Sequence, residues 1–390
     1  MWKNKRVLFL KILVFALGFG LLGLAMTKVV RPAAAAAAPS GLPALASSSA
    51  TDNATCLSCH SQPGMSRTLP GGEVLSLTID QSHFTASVHK GMNCVDCHKD
   101  ISGFPHPALR AQSVRSLSLQ YYTVCQQCHA DQYNQTLNSV HQKALVGGNL
   151  NAAICTDCHN PHSQTQLTDK TTGKLLPEAQ LAIPQVCARC HSAIYDQYKQ
   201  SIHGSALTQA NNTDVPTCID CHGVHNIQDP TSTTFRINSP QLCAKCHTNA
   251  TIMKKYGIST QVLNTYVADF HGTTVTLFEK FSPNQATNKP VCFDCHGVHE
   301  IKKIDDPVYG LAMKQNLLKA CQRCHPDATT NFPDAWMSHY IPSPTHDALV
   351  YYVNIFYKIF IPLVIGGMLV FVISDIARRL LERRKGAKHV

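Results

Sequence analysis

Eighteen cysteines, none of them spare, divide this 390-residue chain into nine five-residue motifs of one kind, Cys-x-x-Cys-His. In order they hold Cys56, Cys59 and His60; Cys94, Cys97 and His98; Cys125, Cys128 and His129; Cys155, Cys158 and His159; Cys187, Cys190 and His191; Cys218, Cys221 and His222; Cys243, Cys246 and His247; Cys292, Cys295 and His296; and Cys321, Cys324 and His325. Residues three apart stand on one side of a helical turn, so each motif presents two thiols together, with an imidazole just beyond them. Successive motifs begin 38, 31, 30, 32, 31, 25, 49 and 29 residues apart. That spacing leaves too little chain to enclose every motif in an ordinary hydrophobic core. The chain must be organised around something other than its own apolar side chains.

The spacing is the attachment signature of c-type haem. In such a site the two thiols form thioethers with one porphyrin, and the histidine is the proximal iron ligand. Competing readings fit less well. Zinc sites join two Cys-x-x-Cys pairs and impose no histidine directly after the second cysteine, and an odd number of pairs suits them poorly. A thioredoxin-like dithiol needs a βαβ alternation that is not visible here. A disulfide framework has no use for nine histidines. The expected fold is mainly α with long loops: a haem-packed domain with little β structure, flanked by transmembrane helices.

The flanks reveal a longer repeat of two motifs. CQQCHADQYNQTLNSVHQKAL and CTDCHNPH, at Cys125–His162, match CARCHSAIYDQYKQSIHGSAL and CIDCHGVHNI, at Cys187–Ile227. A third copy holds CAKCH at Cys243, DFHG around His271 and CFDCHGVHEI at Cys292–Ile301. The first unit runs from Cys56 through His89 to CVDCHKDI, and a terminal half unit holds CQRCH at Cys321 and His339. Each full unit has a first-type motif, a helix-like segment ending in His, and a second-type motif of the form CxDCH with a further histidine beyond it. Tyr133, Leu137 and His141 lie four apart, as on one helical face, and Val262, Leu263, Tyr266, Val267 and Phe270 form a stripe that ends at His271.

This repeat sorts the histidines outside the motifs. His89, His141, His203, His271 and His339 follow first-type motifs, and His106, His162, His225 and His299 follow second-type motifs. Nine motifs need nine second axial ligands, and these nine residues supply them, so every iron is expected to be bis-histidine. The sorting does not say which distal histidine serves which motif. His83 competes with His89, His346 competes with His339, and Met65 and Met92 are placed for ligation, although packing is their simpler role.

Both ends carry membrane signals. Lys3, Lys5 and Arg6 precede an apolar run over 7–26, so residues 1–31 read as a signal-anchor or a cleaved signal peptide. Residues 32–50 form an alanine-rich linker, 51–345 the nine-motif domain, 349–376 a membrane-spanning helix and 377–390 a basic tail. Arg378, Arg379, Arg383, Arg384 and Lys385 place that tail in the cytoplasm by the positive-inside rule, with the motif domain on the opposite side. The net charge of +10 does not argue for nucleic acid, because many of its basic residues sit at the two ends. Nine haems with their propionates would bring the whole protein from +10 to roughly +1 when oxidised and −8 when reduced.

On the nine motifs and their CxDCHxxH variants, residues 50–345 resemble the bacterial multihaem cytochrome c families, including periplasmic decahaem carriers and membrane-attached cytochromes. The resemblance implies nine covalent haem c groups and electron transfer without substrate chemistry. It implies partners in a membrane cytochrome b or quinone-linked subunit and in soluble or outer-membrane redox proteins, and a place in the cytoplasmic membrane with the haems on its periplasmic side. The competing class is a multihaem reductase or oxidase acting on a small nitrogen or sulfur compound at one five-coordinate haem. In nitrite reductases that haem is often marked by Lys in place of the motif His, and all nine motifs here end in His.

Overall fold

The computed structural model describes residues 52–336 and 339–386; the N-terminal segments 1–31 and 32–50 lie outside them. The described chain is mainly helical. Its one sheet is a hairpin of Ser66–Thr68 and Val74–Ser76, antiparallel with Arg67 opposite Leu75.

The two motif types fold by different local rules. Second-type motifs begin a one-turn helix at their first cysteine: Cys94–Cys97, Cys155–Cys158, Cys218–His222 and Cys292–His296. In each, the aspartate before the second cysteine turns back and accepts the backbone N–H that precedes the helix. Asp96 takes that of Asn93 at 2.8 Å, Asp157 that of Ile154 at 2.7 Å, Asp220 that of Thr217 at 2.6 Å and Asp294 that of Val291 at 2.6 Å. A carboxylate at this position satisfies an orphan donor and complements the helix dipole. Most first-type motifs instead close a helix already running, as in Pro177–Ala188, Thr233–His247 and Lys314–Gln322.

Three of the helix-like segments between motifs are two helices each, and His141, His203 and His271 open the second helix where the spacing had placed them at the end of one; His89 and His339 lie in turns outside any helix. Ala130–Thr136 stops before Val140–Val146, Ser192–Lys199 before Ile202–Ala210, and Val262–Ala268 before Phe270–Phe281. The break comes from an N-cap. Ser139 accepts the N–H of His141, Ser201 that of Gly204 and Asp269 that of His271. Such a cap needs extended backbone, which interrupts the 3.6-residue period.

Glycine follows two of these histidines for a steric reason. A Cβ on Gly204 would lie 1.9 Å from the Tyr198 carbonyl oxygen, and one on Gly272 would lie 2.0 Å from that of Tyr266. Gly272→Ala is therefore expected to lower stability by about 1–3 kcal/mol and to displace His271, seen as a drop in Tm together with a perturbed histidine environment. An unchanged Tm would contradict the packing described.

The protein's own core is small. Twelve apolar residues are buried among the described ones, and a single cluster gathers Ile237, Val275 and Val291 with Phe278 and Phe293 against it. Two partly buried ion pairs reinforce second-type motifs, Arg115 with Asp157 and Arg236 with Asp294, both at 2.8 Å. Successive units are tied by one repeated backbone bond. Val88 donates to Gln164, Val140 to Ile227 and Ile202 to Ile301, at 2.8–2.9 Å. The donor always precedes a first-type histidine, and the acceptor always lies two residues after a second-type one. Units joined only to their neighbours make a quasi-linear array.

The chain closes in one helix, Ala348–Gly386. Its stretch Ala348–Arg384 is long and apolar enough to cross a membrane, and none of its apolar window is buried against the protein. The helix starts one residue before the expected 349 and continues past 376, so the first ten residues of the basic tail are helical as well.

Candidate metal centres

Each of the nine motif histidines faces one, and a different one, of the nine repeat-derived histidines. The ring centroids of His60 and His106 are 5.9 Å apart, of His222 and His299 6.0 Å, and of His98 and His162 6.1 Å. His129 with His89 and His191 with His141 stand at 6.2 Å. His159 with His225, His247 with His203 and His296 with His339 stand at 6.3 Å, and His325 with His271 at 6.4 Å.

These separations are too long for ring stacking in van der Waals contact, and they are nearly constant. A metal held by two imidazole nitrogens at about 2.0 Å each, with each nitrogen about 1.1 Å from its ring centre, sets the centres about 6.2 Å apart. The residues therefore fit a bis-imidazole iron, with a cysteine pair beside every centre. Among the described residues no three His, Cys, Asp or Glu converge as a zinc site requires.

Three of these imidazoles are also oriented as ligating rings are. The Nδ1 of His60 lies 2.8 Å from the Leu77 carbonyl, that of His89 3.0 Å from the Pro161 carbonyl and that of His159 3.1 Å from the Gln164 side-chain oxygen. With Nδ1–H donating, the lone pair sits on Nε2, the usual arrangement for a ligating histidine. Burial favours the neutral ring. It holds His203 and His296 down to about 4, and it lowers His98, His141, His162, His222, His225, His247, His299 and His339 below the ordinary histidine value.

The pairing follows a rule invisible in the sorting by sequence. A first-type motif histidine faces a histidine of the preceding unit: His129 faces His89, His191 faces His141, His247 faces His203 and His325 faces His271. A second-type motif histidine faces one of the following unit: His98 faces His162, His159 faces His225 and His222 faces His299. At the ends the rule runs out of units, and the leftover histidines fill in, His106 for His60 and His339 for His296.

The competitors fall elsewhere. His83 points to Asp80, and His346 packs against Tyr340 and lies 3.5 Å from Asp347. The backbone carbonyls of Met65 and Met92 accept bonds from Leu77 and the Asn53 side chain.

The thiols show how the motifs follow one another. Burial and the nearby Cys56 push the Cys94 thiol up to about 11. Hydrogen bonds between thiols hold Cys155 down to about 7 beside Cys125, Cys187 down to about 7 beside Cys218, and Cys292 down beside Cys243. Burial raises Cys97, Cys158, Cys221 and Cys295, with further increments from Cys125, Cys187, Cys243 and Cys321 respectively. Every motif is thus within electrostatic range of the next, in sequence order, from Cys56 to Cys324. A cavity of about 400 Å³ opens beside one centre, lined by Cys295, His296, Lys302, Tyr309 and Arg323.

Sequence reasoning missed the caps Ser139, Ser201 and Asp269, although each stands two residues before its histidine in S-V-H, S-I-H and D-F-H. It also missed Arg115 and Arg236, whose partners are remote in sequence. No family model, curated protein or solved structure matches this chain.

Proposed function

We propose that this chain is a membrane-anchored nonahaem c-type cytochrome that passes electrons along a single file of bis-histidine haems. The observation that carries the reading is the one-to-one pairing of nine motif histidines with nine others at 5.9–6.4 Å, each pair beside two cysteines. Haem c, when bound, supplies one-electron chemistry at potentials tuned by ligation, burial and charge.

The chain's own residues do the positioning. Capping aspartates fix each CxDCH turn, capped helices present His141, His203 and His271, and the inter-unit backbone bonds hold neighbouring units in register. Eight consecutive motif-to-motif approaches support a route that follows the sequence. Saturation of both axial positions at every pair supports a carrier over a reductase, which needs an open iron.

The membrane supplies one terminal. His339 lies nine residues before the helix at Ala348, so the His296 centre is within about 30 Å of that helix along the chain. With Arg378, Arg379, Arg383 and Arg384 inside, the haem domain stands on the periplasmic face of the cytoplasmic membrane. A cytochrome b or quinone-linked subunit exchanges electrons at this end, and a soluble or outer-membrane redox protein exchanges them at the Cys56 end.

A pyridine haemochrome count and the intact mass of the protein matured in a haem-attaching host test this. Nine haems per chain, with low-spin spectra, are expected. A count well below nine overturns the proposal.

A further inference from the structure

Of the nine partner histidines, His106 is the one exposed to solvent; the other eight are half-buried. The difference follows from the repeat. In later units the histidine at this place serves the second-type centre of the unit before it, and a backbone bond from that unit clasps the segment just beyond it, Gln164 to Val88, Ile227 to Val140 and Ile301 to Ile202. The first unit has no predecessor. His106 is left to serve His60, from a loop without helix or strand.

Its support is local. The Nδ1 of His106 lies 2.7 Å from the Gly103 carbonyl, three residues away in the same loop, and its one ring neighbour besides His60 among the described residues, Phe104, is 93% exposed. The other terminal substitute is better held, since His339 has its Nδ1 3.3 Å from the Thr265 hydroxyl and an edge contact with Trp336. His141, His203 and His271 start helices from the caps Ser139, Ser201 and Asp269, and His89 follows in a turn whose Ser87 hydroxyl accepts its N–H; Ser87, Ser139 and Ser201 are buried.

Resting on the nonahaem reading, we infer that the centre of Cys56, Cys59 and His60 is a binding site for small exogenous ligands, neutral diatomics such as CO or NO, reached by release of His106. The exchange involves no electron transfer. With haem bound, His106 Nε2 would give up its bond to iron, its lone pair returning to solvent, and the ligand's lone pair would take the position it leaves. His60 stays in place, with its Nδ1–H directed at Leu77. Loss of His106 requires movement of its loop alone, whereas release of any other partner disturbs a helix start or a segment shared with another unit.

The probe is CO, added to the dithionite-reduced full-length protein, with bound CO counted per haem from the Soret difference spectrum. The expected result is one CO per nine haems. In His106→Ala the stoichiometry stays at one and binding is about tenfold faster or more, because no internal ligand competes. If the unaltered protein binds no CO while His106→Ala binds one, His106 is a firm ligand and the inference is overturned, with the haem reading intact. If the unaltered protein binds one and His106→Ala binds two, the open centre is elsewhere and the inference is again overturned. A chain that carries no covalent haem overturns the underlying reading instead, a distinction that the haemochrome count makes before CO is added.

Discussion

Produced without haem attachment, the chain is expected to lose cooperative folding over the motif domain while keeping its terminal helix. Twelve buried apolar residues, three buried prolines and one cluster around Ile237, Val275 and Val291 are what the described chain offers as a conventional core. Each large buried side chain contributes about 1.5–3 kcal/mol, and the four alanines among the twelve less, which cannot offset about 1–2 kcal/mol of backbone entropy for every ordered residue of such a domain. The paired imidazoles sharpen the argument, because rings held about 6 Å apart make no direct contact that would hold them there. On the haem reading, the binding energy of the porphyrins is folding energy, as in small metal-dependent domains.

Far-UV circular dichroism and urea titration of a cytoplasmically expressed, haem-free chain in detergent check this. Residual helicity close to that of Ala348–Gly386 alone is expected, without a sigmoidal transition. A sharp transition, with the m-value of a large domain, would show that the protein core suffices and remove the main physical support for a cofactor-built interior.

Replacing His162 by Ala is expected to alter the centre of Cys94, Cys97 and His98 and to leave that of Cys155, Cys158 and His159 unchanged. Sequence proximity suggests the reverse, because His162 lies three residues beyond His159. The geometry sets His162 6.1 Å from His98, and it sets His225 beside His159. Loss of one axial histidine should convert about one part in nine of the low-spin signal to high spin. The assignment is then made by background. In a chain that also lacks Cys94 and Cys97, His162→Ala should produce no additional high-spin signal, whereas in one lacking Cys155 and Cys158 it should produce the full amount. The opposite pattern would break the cross-unit rule. A parallel pair, His141→Ala tested against His191 and His129, probes the rule in the other direction along the chain.

Local chemistry was readable from residues close in sequence. The CxDCH motifs announce aspartate-capped turns, since cap and helix lie within four residues, as Asp294 and Val291 do. The terminal helix was readable because length and hydropathy act along one segment. The break before His141 and His271 was readable in principle and was obscured by a good apolar period. Tyr133, Leu137 and His141 keep four-residue spacing across the non-helical Ser139, so periodicity alone fused two helices into one. The glycines at 204 and 272 became intelligible only with the Tyr198 and Tyr266 carbonyls in view.

By itself, then, the sequence determined the number of motifs, their two types, the nine candidate partner histidines and the apolar helix that ends the chain. Each follows from spacing within one turn or one continuous segment. Only the tertiary structure decided which histidine faces which, because that choice depends on how one unit stacks on the next. The backbone bonds from Val88 to Gln164, Val140 to Ile227 and Ile202 to Ile301 impose an offset of one unit, and that offset carries first-type partners forward and second-type partners back. It also leaves the two ends short of a neighbour, which is why an exposed loop histidine, His106, stands opposite His60.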